Sequence, residues 1–299
     1  MIAPASPLME FLHSVYVPSK LDLGSGQIEQ LEVSIRKLDA FASRPKISDL
    51  SEEMICKFLR DCLGHGLAPA TVNSKRAQIL ALWRCAWKKK LHPEQPRDIP
   101  RCREPRRIPR AWTAEEIQLL VNHAATLSGV IGKLPRAWWW STLILVCWET
   151  GVRVGAAREL RVEDFHPRGP ALLVRSESQK TLLGQCLPLS CPTATALAEH
   201  LLAPQRELIW PWPHCDRWLF VCFRRIVETV GLEARLIGHD LFYRLRRSNL
   251  SYVAREAGLE VARQQAGHTS AATTIKHYID PRIANVQRAV DMLPQIEIH

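Results

Sequence analysis

The sequence predicts a mainly α-helical chain in two domains, with a small β-sheet in the second. Three observations carry that expectation. Apolar residues recur at three- and four-residue spacings through most of the 299 positions, as they do when one helical face turns to a core. Prolines 93, 96, 100, 105 and 109 crowd one short stretch and prevent a regular helix there, which divides the chain. Residues 171–176 and 185–189 look like short strands, although their alternation is poor.

The first domain is expected over residues 1–95. Residues 7–15 open it as a largely apolar segment, and a helix follows over 25–41 with Ile28, Leu31, Ile35 and Leu38 on one face. Ser51 or Asp49 can cap the next helix, whose face continues through Ile55, Phe58 and Leu59. Pro69 opens a helix running to about residue 90, with Leu80, Leu82, Trp83 and Trp87 as its apolar members. Lys75, Arg76, Arg84 and Lys88 decorate that helix and are candidate DNA contacts.

Residues 96–111 form the expected linker, basic and proline-rich. Six arginines between 97 and 110, Arg106 and Arg107 among them, face two acids, Asp98 and Glu104. Such a stretch is either a solvated tether or a strap whose cations follow a phosphate backbone. Residues 1–110 hold 19 Lys or Arg against 12 Asp or Glu, which places +7 of the chain's +10 in this part. That concentration suits a DNA-gripping domain better than a uniformly basic enzyme.

The second domain is expected over 112–299. Thr113 caps a helix whose first turn carries Glu115 and Glu116, where acids oppose the helix dipole favourably. The apolar stretch 138–147 is interrupted by Ser141 and Thr142 and soon reaches Glu149 and Arg153, so it is a buried helix and not a membrane span. After the two strands, residues 192–299 are mostly helical, with breaks near 204–213 and 231–238. Pro281 begins a final helix carrying Ile283, Val286, Val290 and Leu293.

Composition excludes several classes. A hydrophobic share of 46% with 23% charged residues is that of a folded soluble protein. Nine cysteines without a CxxC pair, and no export signal, point to a reducing cytosol and no structural zinc. Cys56, Cys62, Cys85 and Cys147 sit among apolar residues and are expected as small core residues. Neither a GxxxxGK[ST] loop nor a GxGxxG turn after a strand is present. The acids Glu159, Glu163 and Asp164 alternate with Arg158 and Arg161, a charge-laced helix end and not a paired-carboxylate metal site. No cofactor and no metal are expected.

Four separated pieces carry the chemistry: Thr150-Gly-Val-Arg153; Lys180-Thr181; Leu245-Arg-Arg-Ser248; and Gly267-His268 followed by Thr273-Thr-Ile-Lys-His-Tyr278. In this order they resemble the catalytic core of the tyrosine recombinase, or phage integrase, family. The likeness extends over nearly the whole chain: it implies a helical core-binding domain followed by a mostly helical catalytic domain with a small β-sheet. It also implies a reaction in which a tyrosine hydroxyl attacks a DNA phosphate, leaving a 3′-phosphotyrosine and a free 5′ hydroxyl.

On that resemblance Arg153 is the first catalytic arginine, supported by Leu160, Arg161 and Asp164 downstream. Arg246 is the second, with Arg247 as fallback. Two planar, permanently charged guanidiniums can grip nonbridging oxygens and stabilise a pentavalent phosphate. Lys180 is the expected proton donor to the leaving oxygen, His268 the hydrogen-bonding histidine, and Tyr278 the nucleophile. The chain departs from the pattern twice. Ala156 stands where a glutamate often supports the first arginine, and Tyr243 stands three residues before Arg246, where histidine is common. A tyrosine can donate a hydrogen bond to phosphate but is no base at neutral pH. His239, seven residues before Arg246, is read as a residue that supports the site from behind or starts a helix, and Tyr252 as core.

The resemblance further implies double-stranded DNA as partner, a homotetramer on paired sites from subunits that are monomeric in solution, no membrane, and a cytoplasmic, nucleoid-associated setting. In relatives the final helix docks on a neighbouring subunit, and here it can either do so or cover its own core. Two other functions remain open at this point. A type IB DNA topoisomerase shares the chemistry but relaxes supercoils as a monomer. A recombinase-like DNA-binding protein without activity is the other, and Tyr243 in place of histidine is its best support.

Overall fold

The computed structural model describes residues 2–105, 108–179, 183–201, 206–232 and 240–284. It is mainly helical and separates into two compact units, Met1–Arg106 and Arg107–His299.

In the first unit a short helix α1 (Leu8–Phe11) runs into a π-turn, and α2 (Ser25–Phe41), α3 (Glu52–Gly64) and α4 (Pro69–Lys88) follow. Ser51 caps α3 by accepting from the Met54 amide, with Glu52 and Glu53 in the first turn. Pro69 starts α4, where a missing N–H is harmless. Phe11, Ile35, Leu38, Ile55, Phe58, Val72 and Trp83 close one core.

Two expectations for α4 are corrected. Lys75 is not on a DNA-facing surface: it is buried, and its Nζ donates to Ser34 Oγ at 3.3 Å. Burial, then the neighbouring Lys37, hold its amine below the usual lysine range. The reason is register, since Lys75 lies three residues after Val72 and four before Ile79, on the core face. Trp87 is the reverse case, 37% exposed.

The proline-rich stretch is not a free tether where it leaves the first unit. Ile99 is buried; the Asn73 amide brackets Cys102, donating to its carbonyl at 3.0 Å and accepting from its N–H at 2.9 Å. Arg76 Nε donates to the Ile99 carbonyl at 2.7 Å. Arg84, Lys88, Arg97, Arg101, Arg103 and Arg110 are exposed, while Arg106 and Arg107 lie outside the described residues.

The second unit is built round α6 (Arg136–Thr150). It is preceded by α5 (Ala114–Ala125), with a complete capping box between Thr113 and Glu116, and by a hairpin of β1 (Val130–Ile131) and β2 (Leu134–Pro135) that the sequence did not suggest. Trp139, Trp140, Leu143 and Ile144 of α6 are buried. The Trp139 indole Nε1 donates to the Pro211 carbonyl at 3.0 Å. After α7 (Val154–Arg158), an antiparallel sheet orders β3 (Phe165–His166), β4 (Ala171–Val174) and β5 (Gln185–Pro188), with Leu172 opposite Leu187. Helices α8 (Cys191–Ala198), α9 (Asp216–Thr229), α10 (Asp240–Ala257), α11 (Leu259–Ala266) and α12 (Ala271–Tyr278) complete it.

Of the four cysteines expected in the core, Cys62 and Cys147 are buried, whereas Cys56 and Cys85 are half-buried. Tyr252 is half-buried too, and its hydroxyl accepts from the Ala114 amide at 3.0 Å. The acids near Asp164 pair with arginines, as Arg175 Nε does with Asp164 at 3.0 Å. Among the described residues there is no cluster of three or more metal-ligating side chains, and no helix long and apolar enough to cross a membrane.

Candidate active site

Arg153, Tyr243, Arg246, His268 and Tyr278 come from three regions of the second unit, and the fold gathers them around one buried guanidinium. Arg246 lies inward on α10 and is 3% exposed. Its Nη1 donates to the Gly151 carbonyl, and its Nη2 to the Ala266 carbonyl at 2.6 Å. One side chain therefore joins the end of α6 to the end of α11. Burial, and next the charge of Arg153, push its pKa down to about 10, with the Tyr278 and Tyr243 phenols acting the other way. It stays protonated at neutral pH.

Local chemistry explains why the chain can approach so closely. Gly151 ends α6 in the left-handed region, φ +64°, with its amide on the Cys147 carbonyl. A Cβ there would meet Asn249 Oδ1 at 2.5 Å. Asn249 is itself held, donating to the Glu149 carbonyl at 2.9 Å and accepting from Gln265 Nε2 at 2.9 Å. Glycine thus meets both a backbone and a space requirement. Arg153 follows, half-buried, in the N-cap position of α7.

His268 sits in the turn after Gly267, whose left-handed φ of +63° ends α11. Arg246 Nη2 approaches its Nε2 at 3.3 Å, and its Nδ1 lies 2.9 Å from Thr274 Oγ1. A guanidinium only donates, so Nε2 accepts and Nδ1 carries the proton, which it gives to Thr274. Burial, then the charges of Arg246 and Arg153, push the pKa of this histidine down to about 4. The ring is neutral at physiological pH.

Tyr278 is the last residue of α12 and 9% exposed. Its ring centroid lies 5.1 Å from the Arg246 guanidinium carbon and 4.8 Å from the His268 ring. Tyr243 is 37% exposed and stands one turn before Arg246 on α10, with its ring 6.4 Å from that of Tyr278. Below, Tyr278 packs against Leu250, Ala262 and Ala266. The chain beyond it is fastened by Asp280, fully buried, whose carboxylate accepts from the Ala111 amide at 2.8 Å and from Arg282 Nη2 at 2.6 Å. Ser251 Oγ bridges the Tyr278 carbonyl and the Asp280 amide.

Lys180 and His239 lie outside the described residues, as does the expected final helix beyond residue 284. Arg247 is directed elsewhere, with Nε donating to the His277 carbonyl at 3.2 Å, which leaves Arg246 at the centre of the cluster. Sequence reasoning missed Gln179, Gln185, Asn249, Gln265 and Asp280. Single polar residues of this kind make no motif, and each also bonds a partner far along the chain.

Together the residues present two guanidiniums, a neutral imidazole and two phenols in one place, a set able to hold a phosphodiester and offer it a hydroxyl nucleophile.

This chain has the fold of the tyrosine recombinases and integrases. It matches a lambda integrase tetramer bound to a Holliday junction with a TM-score of 0.70 at 18% identity, over 99% of this chain and 81% of that one. The XerH site-specific recombinase in its post-cleavage complex with palindromic difH substrate matches with 0.69 at 19% identity, over 90% and 80%. The Tn1549 transposon integrase in complex with circular intermediate DNA matches with 0.69 at 11%, over 97% and 99%. No protein-family model matches the chain, and no curated protein matches it by sequence.

Proposed function

We propose that this chain is a site-specific DNA recombinase that cleaves and rejoins strands through a 3′-phosphotyrosine at Tyr278. The observation that supports it most is the packing of the Tyr278 ring against both the Arg246 guanidinium, 5.1 Å from its centroid, and the tilted His268 ring at 4.8 Å. In the reaction, the Tyr278 hydroxyl oxygen bonds to phosphorus and its proton passes to His268 as the bond to the 5′ oxygen breaks. Arg153 and Arg246 stabilise the charge on the pentavalent phosphate. A pKa of about 4 makes His268 a weak base without DNA, but the anionic phosphate offsets the two arginines that depress it and raises its proton affinity. Tyr243 supplies a hydrogen bond to a phosphate oxygen, and Lys180 protonates the leaving 5′ oxygen. The covalent bond conserves the phosphodiester energy, so rejoining needs no nucleotide cofactor.

Residues 1–95 serve as the core-binding domain, 96–111 as the basic linker and 112–299 as the catalytic domain. Arg84 and Lys88, exposed on α4, and the exposed linker arginines contact the backbone of double-stranded DNA. Like the lambda integrase tetramer on its Holliday junction, four subunits act on paired sites, in the cytoplasm and on the nucleoid.

A suicide substrate carrying candidate target DNA, with mass mapping of the trapped peptide, tests the assignment. DNA should be found on the peptide containing Tyr278, and Tyr278→Phe should abolish the adduct while DNA binding survives. An adduct that persists in that variant overturns the choice of nucleophile. Supercoil relaxation without junction products would make the chain a type IB topoisomerase, and binding without any adduct would make it an inactive relative.

A further inference from the structure

Arg153 has no carboxylate partner among the described residues; what it meets is an amide. Its Nη1 donates to Gln179 Oε1 at 3.3 Å. Gln179 is 4% exposed, and its Nε2 donates to Gln185 Oε1 at 2.7 Å. Gln185 Nε2 in turn donates to the Gln265 carbonyl at 3.1 Å and approaches that of Gln264 at 3.5 Å, at the end of α11.

The polarity of this chain of bonds is settled at both ends. A guanidinium only donates and a backbone carbonyl only accepts, so each amide between them has one orientation that satisfies both neighbours. A carboxylate at position 179 could accept from Arg153 but could not donate to Gln185, whose oxygen already faces it. Gly267 completes the fit, since a Cβ there would press on Gln185 Nε2 at 3.3 Å.

We infer that Gln179 and Gln185 form a neutral relay that positions Arg153 for the scissile phosphate and locks it to the α11 end that carries His268. The relay leaves the positive charge of Arg153 unneutralised, whereas a carboxylate partner would offset it. Gln179 is a positioning residue: it acts through Arg153 and touches no reacting atom. The inference rests on the recombinase reading for its consequence but not for its geometry.

Its test therefore has two readouts on the full chain. Rotation of the Arg153 guanidinium, followed by 15N NMR with the signal assigned through Arg153→Lys, should be slow in the unchanged protein and fast in Gln179→Ala. Single-turnover adduct formation at saturating DNA should fall about tenfold or more in Gln179→Ala, the order expected from misplacing a catalytic group. Gln179→Glu should not rescue the rate, because it pairs with Arg153 while repelling Gln185. Equally fast rotation in both proteins overturns the relay, whether or not an adduct forms. Slow rotation in both overturns it too, as does an adduct at the unchanged rate in Gln179→Ala. Absence of any adduct in the unchanged protein counts against the recombinase reading alone, and the NMR arm still decides the relay.

Discussion

Lowering the pH should destabilise the second unit through His268, over a window set by its surroundings. In the unfolded chain a histidine titrates near 6.5, and in the folded chain this one titrates near 4. Between those values the unfolded state binds a proton that the folded state refuses, so stability is complete above about pH 6.5 and falls as pH drops toward 4. The two values correspond to a loss of about 2 kcal/mol by pH 5 and about 3 kcal/mol by pH 4. His268→Gln removes the titration and keeps a side chain that can both accept from Arg246 and donate to Thr274. Urea denaturation of both proteins at pH 7.5, 6, 5 and 4 isolates the contribution, because every other acid-sensitive group is common to the two. Asp280 acts lower: burial pushes its carboxyl up, but bonds from Arg282 and Ala111 outweigh this and hold it below the usual range. Its contribution is thus lost only beneath the histidine window. Equal loss of stability in the two proteins between pH 7.5 and 5 would refute the reasoning, since the ring would then be open to solvent or already charged.

Three further outcomes follow from the geometry. Gly151→Ala should lose about 2–4 kcal/mol by urea denaturation, about 1–2 for the left-handed backbone and the rest for displacing Asn249; unchanged stability would mean the turn can relax. Asp280→Ala should cost about 1–3 kcal/mol by leaving the Ala111 amide without its acceptor, and Asp280→Asn less, as judged by calorimetry. Arg84→Ala and Lys88→Ala should each weaken DNA binding irrespective of sequence and lower the salt dependence, measured by fluorescence anisotropy, by about one released counterion. Lys75→Met, by contrast, should leave that salt dependence untouched.

How much could be seen in the sequence depended on range. Helix starts were legible because they are local: Ser51 and Thr113 satisfy amides three residues away, and apolar spacing marked α2 from Ser25 to Phe41. The ordered resemblance named Arg153, Arg246, His268 and Tyr278 as a set, and the fold brings them together. At Lys75 two local signals conflict: its charge suits a surface, while its spacing from Val72 and Ile79 places it inward, and the core face prevails. The two-residue strands β1, β2 and β3 escaped notice, being too short for alternation to register.

By itself, then, the sequence determined helices α2 to α6 and the caps at Ser51 and Thr113, since each of these depends on neighbours within a turn or two. Only the tertiary structure decided that Arg246 is buried between the carbonyls of Gly151 and Ala266, that His268 is neutral with its proton on Nδ1, and that glutamines hold Arg153. Asp280 reaching Ala111 across 169 positions is the extreme case. Hydrogen bonds and desolvation act through space over a few ångströms, and no periodicity along a chain records which distant residues will share that space.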